Sequence, residues 1–327
     1  MAAFRKRGTG WQARVRRVGY PDEVKTFPTR ADAERWARSV EGEMDRGEFV
    51  SRSEVARSTL ADLVLRYMNE VTPSKRGARD ERIRLNAMLR NRLCKLSLVH
   101  LTPQEVARYR DERLKICGPA TVIRDLAVLS AIVNHARREW GVAIQNPVAL
   151  VRKPASPRGR DRVLSDDEEA RLCDALRPIG RRNPYMLALV TTAIETAMRR
   201  GELLSLRWEH VDLDSRVAFL PETKNGRSRH VPLSSRAVQA IESAPSPRLG
   251  LVFPVGVAAM EASFLRAVRR ADLQGLHFHD LRHTATSRIA RKLPNVIELA
   301  AVTGHESLQM LKRYFHPRAS EIARKLG

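Results

Sequence analysis

The chain has 327 residues, 43% apolar and 29% charged, a balance that supports folded cores and excludes a low-complexity chain. Its 59 lysines and arginines against 37 aspartates and glutamates give a formal charge of +22 and call for a polyanionic partner. Three widely spaced cysteines fit neither a disulfide framework nor a paired-cysteine metal site, and Met1–Gly10 lacks the apolar stretch of a secretory signal, so a cytoplasmic, nucleoid-associated protein is expected.

The charge surplus is spread along the chain, 13 basic against 9 acidic residues in 1–57, 18 against 9 in 58–157 and 28 against 19 in 158–327, so it is not a tail. Trp11 to Phe27 alternates short apolar and basic stretches around the turn signal Gly19-Tyr20-Pro21, which predicts a sheet of two or three strands. Thr29 is placed to cap a helix over Ala31 to Arg46, where Ala33, Trp36, Ala37 and Val40 recur at helical spacing. Basic residues before position 31 gather on the strands, and Arg14, Arg16 and Arg17 are candidate DNA contacts there; a solvated basic face is an equally good reading. Residues 1–50 therefore read as a small sheet-plus-helix DNA-binding domain, and the polar stretch 51–57 as a linker.

From 58 to 153 the pattern predicts a helical bundle, with Leu60, Leu63, Val64 and Tyr67 on one apolar face, Ile83, Leu85, Met88 and Leu89 on another, and Val122 to Val133 on a third. The basic stretch Lys75 to Lys95 supplies Lys75, Arg76, Arg79 and Arg82 as candidate DNA contacts. A Pro-rich linker, 154–161, precedes a further domain, 162–327, opened by Ser165 as a helix cap with acids in the first turn. The apolar run Tyr185–Ile194 is too short to span a bilayer and reads as a buried helix. Val217–Leu220 and His230–Leu233 flank Thr223-Lys224-Asn225-Gly226, a hairpin signal that puts Lys224 at the tip. The expected fold is mainly α with small β elements, an α+β arrangement.

Three segments carry chemistry. Arg199 sits where one apolar helix breaks into the next, with Glu202 one turn on; a fixed arginine fork is suited to negative charge on phosphate oxygens, and a surface ion pair is the alternative. In His279-Asp280-Leu281-Arg282-His283 the residues His279, Arg282 and His283 share a helix face. That spacing is shared with zinc hydrolases, but the Glu that follows the first His there is missing and no further ligand cluster follows, which favours a proton-accepting His beside a phosphate-binding Arg. Gly304-His305 and Tyr314-Phe315-His316 form the third; a tyrosine attacks phosphorus usefully only where cations steady its phenolate or a base takes its proton, and a lone tyrosine is more often a packed aromatic.

In this order, Arg199 with Glu202, Lys224 in a hairpin, the box from His279, His305 after Gly304 and Tyr314 nine residues later resemble the tyrosine recombinase (phage integrase) family. The likeness covers 159–327; more weakly, 58–153 is similar to the family's core-site-binding domain and Trp11 to Phe49 to its small arm-site-binding domain. The resemblance implies that Tyr314 attacks the scissile phosphate, giving a 3′-phosphotyrosine and a free 5′-hydroxyl, while Arg199 and Arg282 clamp the non-bridging oxygens and His305 adds a hydrogen bond. It implies that Lys224 protonates the leaving oxygen and that His279 assists proton transfer at the tyrosine, with Glu202 orienting Arg199 and His283 and His316 supporting the helices. No metal or cofactor is implied, since the phosphotyrosine keeps the energy of the broken linkage. Expected partners are double-stranded DNA attachment sites, further copies in a tetramer, a DNA-bending host factor and an excisionase.

The chain departs from the family pattern at Ala197, where Gly is frequent, and at Thr303, where Leu is frequent; if position 197 needs a positive φ, alanine is a strained choice. Two other functions compete: a catalytically silent DNA-binding or architectural protein of the same fold, which has no need of the tyrosine, and a type IB topoisomerase, disfavoured by the arm-binding segment and short tail.

Overall fold

The structure is a computed structural model of the chain, described at residues 2–46, 57–157, 159–222, 228–293, 295–314, 323 and 327. It divides into two compact units, Met1–Arg158 and Gly159–Gly327.

The first unit opens with an antiparallel sheet of β1 (Ala2–Arg7), β2 (Gly10–Val15) and β3 (Glu23–Phe27) in that order. β1 has no hydropathy signal. It pairs from Ala2 opposite Val15 to Arg7 opposite Gly10, and only Ala2 and Phe4 turn inward, onto Val15, Ala37, Val40 and Met44. Gly8 at φ +58 makes the tight reversal between β1 and β2 possible. Helix α1 (Arg30–Asp45) is capped by the Thr29 side chain, which accepts from the Asp32 amide, and buries the stripe Ala33, Ala37, Val40 and Met44.

Four longer helices follow in the same unit: α2 (Leu60–Glu70), α3 (Ala78–Leu89), α4 (Pro103–Leu114) and α5 (Pro119–Glu139). A Thr59–Asp62 capping box starts α2. Leu60, Leu63, Val64 and Tyr67 share a core with Leu126, Leu129, Ile132 and Val133 of α5. Asp125 is buried there and takes Arg84 of α3 at 2.7 Å and Arg113 of α4 at 3.0 Å, so one carboxylate ties three helices together.

In the second unit, α6 (Asp166–Leu176) begins at a Ser165–Glu168 capping box. Helix α7 (Met186–Thr196) follows, with nine of its eleven residues buried, and packs against α6, α9 (Ser235–Glu242), α10 (Val257–Arg270) and α11 (Phe278–Lys292). A helix apolar on every side can only be a central one. Between α7 and α9 lie the short α8 (Arg200–Leu204) and a sheet of β4 (Val211–Asp212), β5 (Val217–Leu220) and β6 (Arg229–Pro232). β5 and β6 form the expected hairpin, in register from Val217 opposite Pro232 to Leu220 opposite Arg229, and its tip, with Lys224, lies outside the described residues. The C-terminal part holds α12 (Val296–Thr303), α13 (Leu308–Leu311) and a 3-10 turn, Lys312–Tyr314. No described helix is long and apolar enough to cross a membrane.

Candidate active site

The site begins where α7 stops. Thr192 and Thr196 turn their hydroxyls back onto the carbonyls of Ala188 and Thr192, at 2.8 and 2.6 Å, and Thr196 also accepts from the Met198 amide. The next residue, Ala197, is fully buried and adopts the left-handed conformation, φ +55 and ψ 19. That reverses the chain and leads Arg199, in extended backbone, into α8. The Arg199 amide donates to Glu202 Oε2 at 2.8 Å and its Nη1 to Glu202 Oε1 at 2.9 Å, so the carboxylate caps α8 and aims the guanidinium in one stroke.

A residue that sequence reading does not single out completes this pair. Arg229, at the start of β6, donates to Glu202 Oε2 at 2.7 Å and to the Val302 carbonyl. Its side chain is 10% exposed and that of Glu202 4%. Burial is the largest influence on Glu202 and pushes its pKa up, but the Arg229 charge and the hydrogen bonds from Arg199 and Arg229 outweigh it, leaving the carboxyl below the usual range. One carboxylate thus fixes two cations at the base of the site.

Helix α11 brings the second arginine. Its N-terminus is pinned by the buried Asp280, which accepts from the His277 amide at 2.8 Å and takes Arg160, 120 residues earlier, through Nε at 3.0 Å and Nη2 at 2.8 Å. One turn on, Arg282 is 5% exposed and donates to the Ala197 carbonyl through Nη1 and to the Thr303 carbonyl through Nη2 at 2.7 Å. Burial, then the neighbouring Arg199 and Arg229 charges, lower its pKa to about 10, still cationic at neutral pH.

Helix α12 ends at Gly304, φ +67, whose carbonyl accepts from Arg199 Nη2 at 2.9 Å. Both phosphate-binding candidates therefore rest on the same two-residue stretch, Thr303 and Gly304. His305 follows, with Nε2 at 3.3 Å from Arg282 Nη2 and Nδ1 at 2.7 Å from the Thr303 hydroxyl. That hydroxyl already donates its proton to the Leu299 carbonyl at 2.6 Å, so Nδ1 must carry the imidazole hydrogen and Nε2 accepts from Arg282. Burial, then Arg282 and Arg199, press the His305 pKa down to about 3, so the ring is neutral in the absence of an anion.

Tyr314 is half-buried against Ala290, Leu299 and Leu311, with its ring 6.3 Å from that of His305. Its hydroxyl is hydrogen bonded to Nδ1 of His283, and the two rings stack at 5.9 Å. Burial separates the two histidines of this face: His283 is 8% exposed, whereas His279, one turn earlier, is exposed and meets the His283 ring edge-on at 5.2 Å.

Of the sequence candidates, Arg199, Glu202, Arg282, His283, His305 and Tyr314 come together here, with His279 at the rim; Lys224 and His316 lie outside the described residues. Among the DNA-contact candidates, Arg14 and Arg16 bind Asp22 at 2.6 and 2.7 Å, Arg17 binds Asp45, and Lys75 binds Glu81 at 2.7 Å; Arg76, Arg79 and Arg82 are exposed near and along α3. No group of three or more His, Cys, Asp or Glu side chains among the described residues is placed to hold a metal. A cavity of about 230 Å³ lined by Leu176, Arg182, Met186, Arg266 and Arg270 lies at the other end of α7 and shares no residue with the site.

A family model described as "Phage integrase family" matches residues 162–321. A shufflon-specific DNA recombinase of Escherichia coli is 41% identical to 83% of this chain and 72% of its own, and a putative integrase/recombinase of Haemophilus influenzae 35% identical to 98% of this chain and 89% of its own. The chain belongs to the phage integrase family, the tyrosine recombinases. It is a site-specific DNA recombinase of that family. Among solved structures, a lambda integrase tetramer bound to a Holliday junction has the same fold, with a TM-score of 0.67 at 18% identity over 95% of this chain and 93% of that one. The Tn1549 transposon integrase in complex with circular intermediate DNA gives 0.67 at 16% identity over 82% and 99%. In this recombinase Glu202 holds Arg199 and Arg229, Arg282 rests on the Ala197 and Thr303 carbonyls, and the Thr303 hydroxyl lies against His305.

Proposed function

We propose that this recombinase cleaves and rejoins double-stranded DNA at attachment sites, with Tyr314 as the nucleophile, and so inserts or removes a mobile element such as a prophage. The observation that carries the reading is the common footing of the site: Arg199 and Arg282 rest on the carbonyls of Gly304 and Thr303, ten and eleven residues before Tyr314. A phosphate held by these two guanidinium forks is met by fixed positive charge as its oxygens gain negative charge, the largest single contribution in such reactions. His305, held neutral first by burial and then by the Arg282 and Arg199 charges, stands beside the same oxygens as a hydrogen-bonding group.

Attack by Tyr314 forms the tyrosine O–P bond and breaks the P–O5′ bond. Lys224 is the proposed proton donor to the leaving 5′-oxygen. Rejoining to a different 5′-hydroxyl reverses the step and regenerates the tyrosine. By analogy with the tetramer on a Holliday junction, four copies act together on two DNA sites; a DNA-bending host factor and an excisionase are proposed accessory partners.

The test is covalent capture. Suicide DNA nicked beside the cleavage position should trap wild-type protein on a 3′-phosphate, and Tyr314→Phe should abolish the trap; a trap that persists places the nucleophile elsewhere. A 5′-bridging sulfur, a better leaving group, should restore cleavage by Lys224→Ala, and no recovery removes Lys224 as the acid. The likeness to a shufflon-specific recombinase favours a second substrate class, DNA segments exchanged as a shufflon is, and sequencing the junctions formed in cells separates the two.

A further inference from the structure

We propose that His283 is the group that takes the proton from Tyr314, so that the tyrosine is activated from the buried face of α11 and not from its rim. The inference rests on the reading of Tyr314 as nucleophile.

The geometry is direct: Nδ1 of His283 is hydrogen bonded to the Tyr314 hydroxyl, with no intervening group. A phenol has a pKa near 10, so at neutral pH a base within hydrogen-bond reach is what makes it nucleophilic. His283 is 8% exposed, which keeps water from competing for the proton, while His279 on the preceding turn is exposed to solvent. Among the described residues, His279 has its ring 5.2 Å from that of His283 and His305 its ring 6.3 Å from that of Tyr314, and Arg282 is 3.3 Å from His305 Nε2. A bound phosphodiester would place its anion among Arg199, Arg282 and His305, beside the Tyr314–His283 hydrogen bond.

The Tyr314 O–H bond breaks, its proton moves to Nδ1 of His283 and its electron pair forms the O–P bond. The P–O5′ bond breaks and the leaving oxygen takes a proton from the acid. On rejoining, the phenolate leaves phosphorus and recovers its proton from His283. His305 is a poor alternative for this role, because its Nδ1 hydrogen is committed to Thr303 and its Nε2 faces Arg282.

The experiment is single-turnover cleavage of nicked suicide DNA between pH 5 and 9, using the full chain. His283→Gln should slow cleavage by about 10²- to 10⁴-fold, the usual contribution of a positioned base. Its rate should climb tenfold per pH unit, whereas the wild-type rate should level off at the histidine ionisation. A 5′-bridging sulfur should give no recovery, unlike Lys224→Ala. His283→Gly with added imidazole should regain activity, which a packing role does not allow.

A second measurement needs no histidine variant. Fluorinated tyrosine at 314, with a more acidic phenol, in the otherwise wild-type chain should leave the pH at which the rate levels off unchanged, since the histidine sets it, and a plateau that moves down with the acidity of the phenol overturns the proposal. A His283→Gln rate within tenfold of wild type with an unchanged pH profile overturns the proposal, as does a profile altered only in His279→Gln. Absence of any 3′-adduct from wild-type protein defeats the reading of Tyr314 itself and is recognised before any variant is made.

Discussion

The Arg229 guanidinium lies so close to Gly304 that a β-carbon on that glycine would stand 2.9 Å from its Nε and 3.0 Å from Cζ. Gly304 also holds φ +67, so any side chain there meets both backbone strain and a cation that is locked between Glu202 and the Val302 carbonyl. Gly304→Ala is expected to destabilise the second unit by about 1–3 kcal/mol and to slow cleavage at least tenfold. Denaturant unfolding alongside the suicide-DNA assay checks this; wild-type values in both would show that Arg229 has room to move.

Glu202 faces two arginines in a buried setting, and removing it leaves two uncompensated cations. Glu202→Ala should therefore cost about 3–5 kcal/mol, more than Arg229→Met, which leaves Glu202 its bonds to Arg199. The double variant should be less damaging than the sum of the two. Additive losses in a double-mutant cycle would mean that the two side chains do not depend on each other.

His305 gives the stability of the chain an acid-side dependence whose sign is fixed. Its pKa falls from the ordinary 6.5 to about 3 on folding, so between those values the unfolded chain binds the extra proton. The stabilisation is complete above about pH 6.5, declines as pH falls and is gone near pH 3. Glu202 acts in the same direction at lower pH, since its carboxyl is also depressed. Imidazole nitrogen NMR of the free protein should show neutral His305 with hydrogen on Nδ1, and Thr303→Val should release it to the other tautomer. A protonated ring at pH 6, or an Nε2-protonated ring in the wild type, contradicts the hydrogen-bond assignment.

Ala197 in the left-handed region is strained by about 1–2 kcal/mol relative to a right-handed residue. Glycine removes the strain but adds freedom to the unfolded chain, about 0.4–1 kcal/mol in the other direction. Ala197→Gly is thus expected to be neutral or stabilising by up to about 1 kcal/mol with cleavage retained, and Ala197→Val to lose both. A clear loss of stability with glycine would mean that the alanine methyl is needed for packing.

What sequence reading captures and misses divides along physical lines. The α7 break, the Arg199–Glu202 pair and the α11 box are local, set by helical spacing over three or four residues, and are legible without coordinates. So is the hairpin, because Asn225-Gly226 demands one. Arg229 escapes notice since its partners lie 27 and 73 residues away, and Arg160 finds Asp280 across 120. The choice between His279 and His283 also needs coordinates: both fit the helical face, and only the approach of Tyr314 distinguishes them. β1 was invisible for a different reason, as a strand with two inward apolar residues and three basic ones has no hydropathy period to read.

The footing of both arginines on Thr303 and Gly304 couples their placement to one short stretch of chain. The two guanidinium groups proposed to hold the phosphate each donate one N–H to the chain ten and eleven residues before Tyr314, so a shift of that stretch is expected to disturb the tyrosine and both arginines together. Displacement of that one segment is therefore expected to silence the site as a whole, without any change in the Glu202–Arg229 pair.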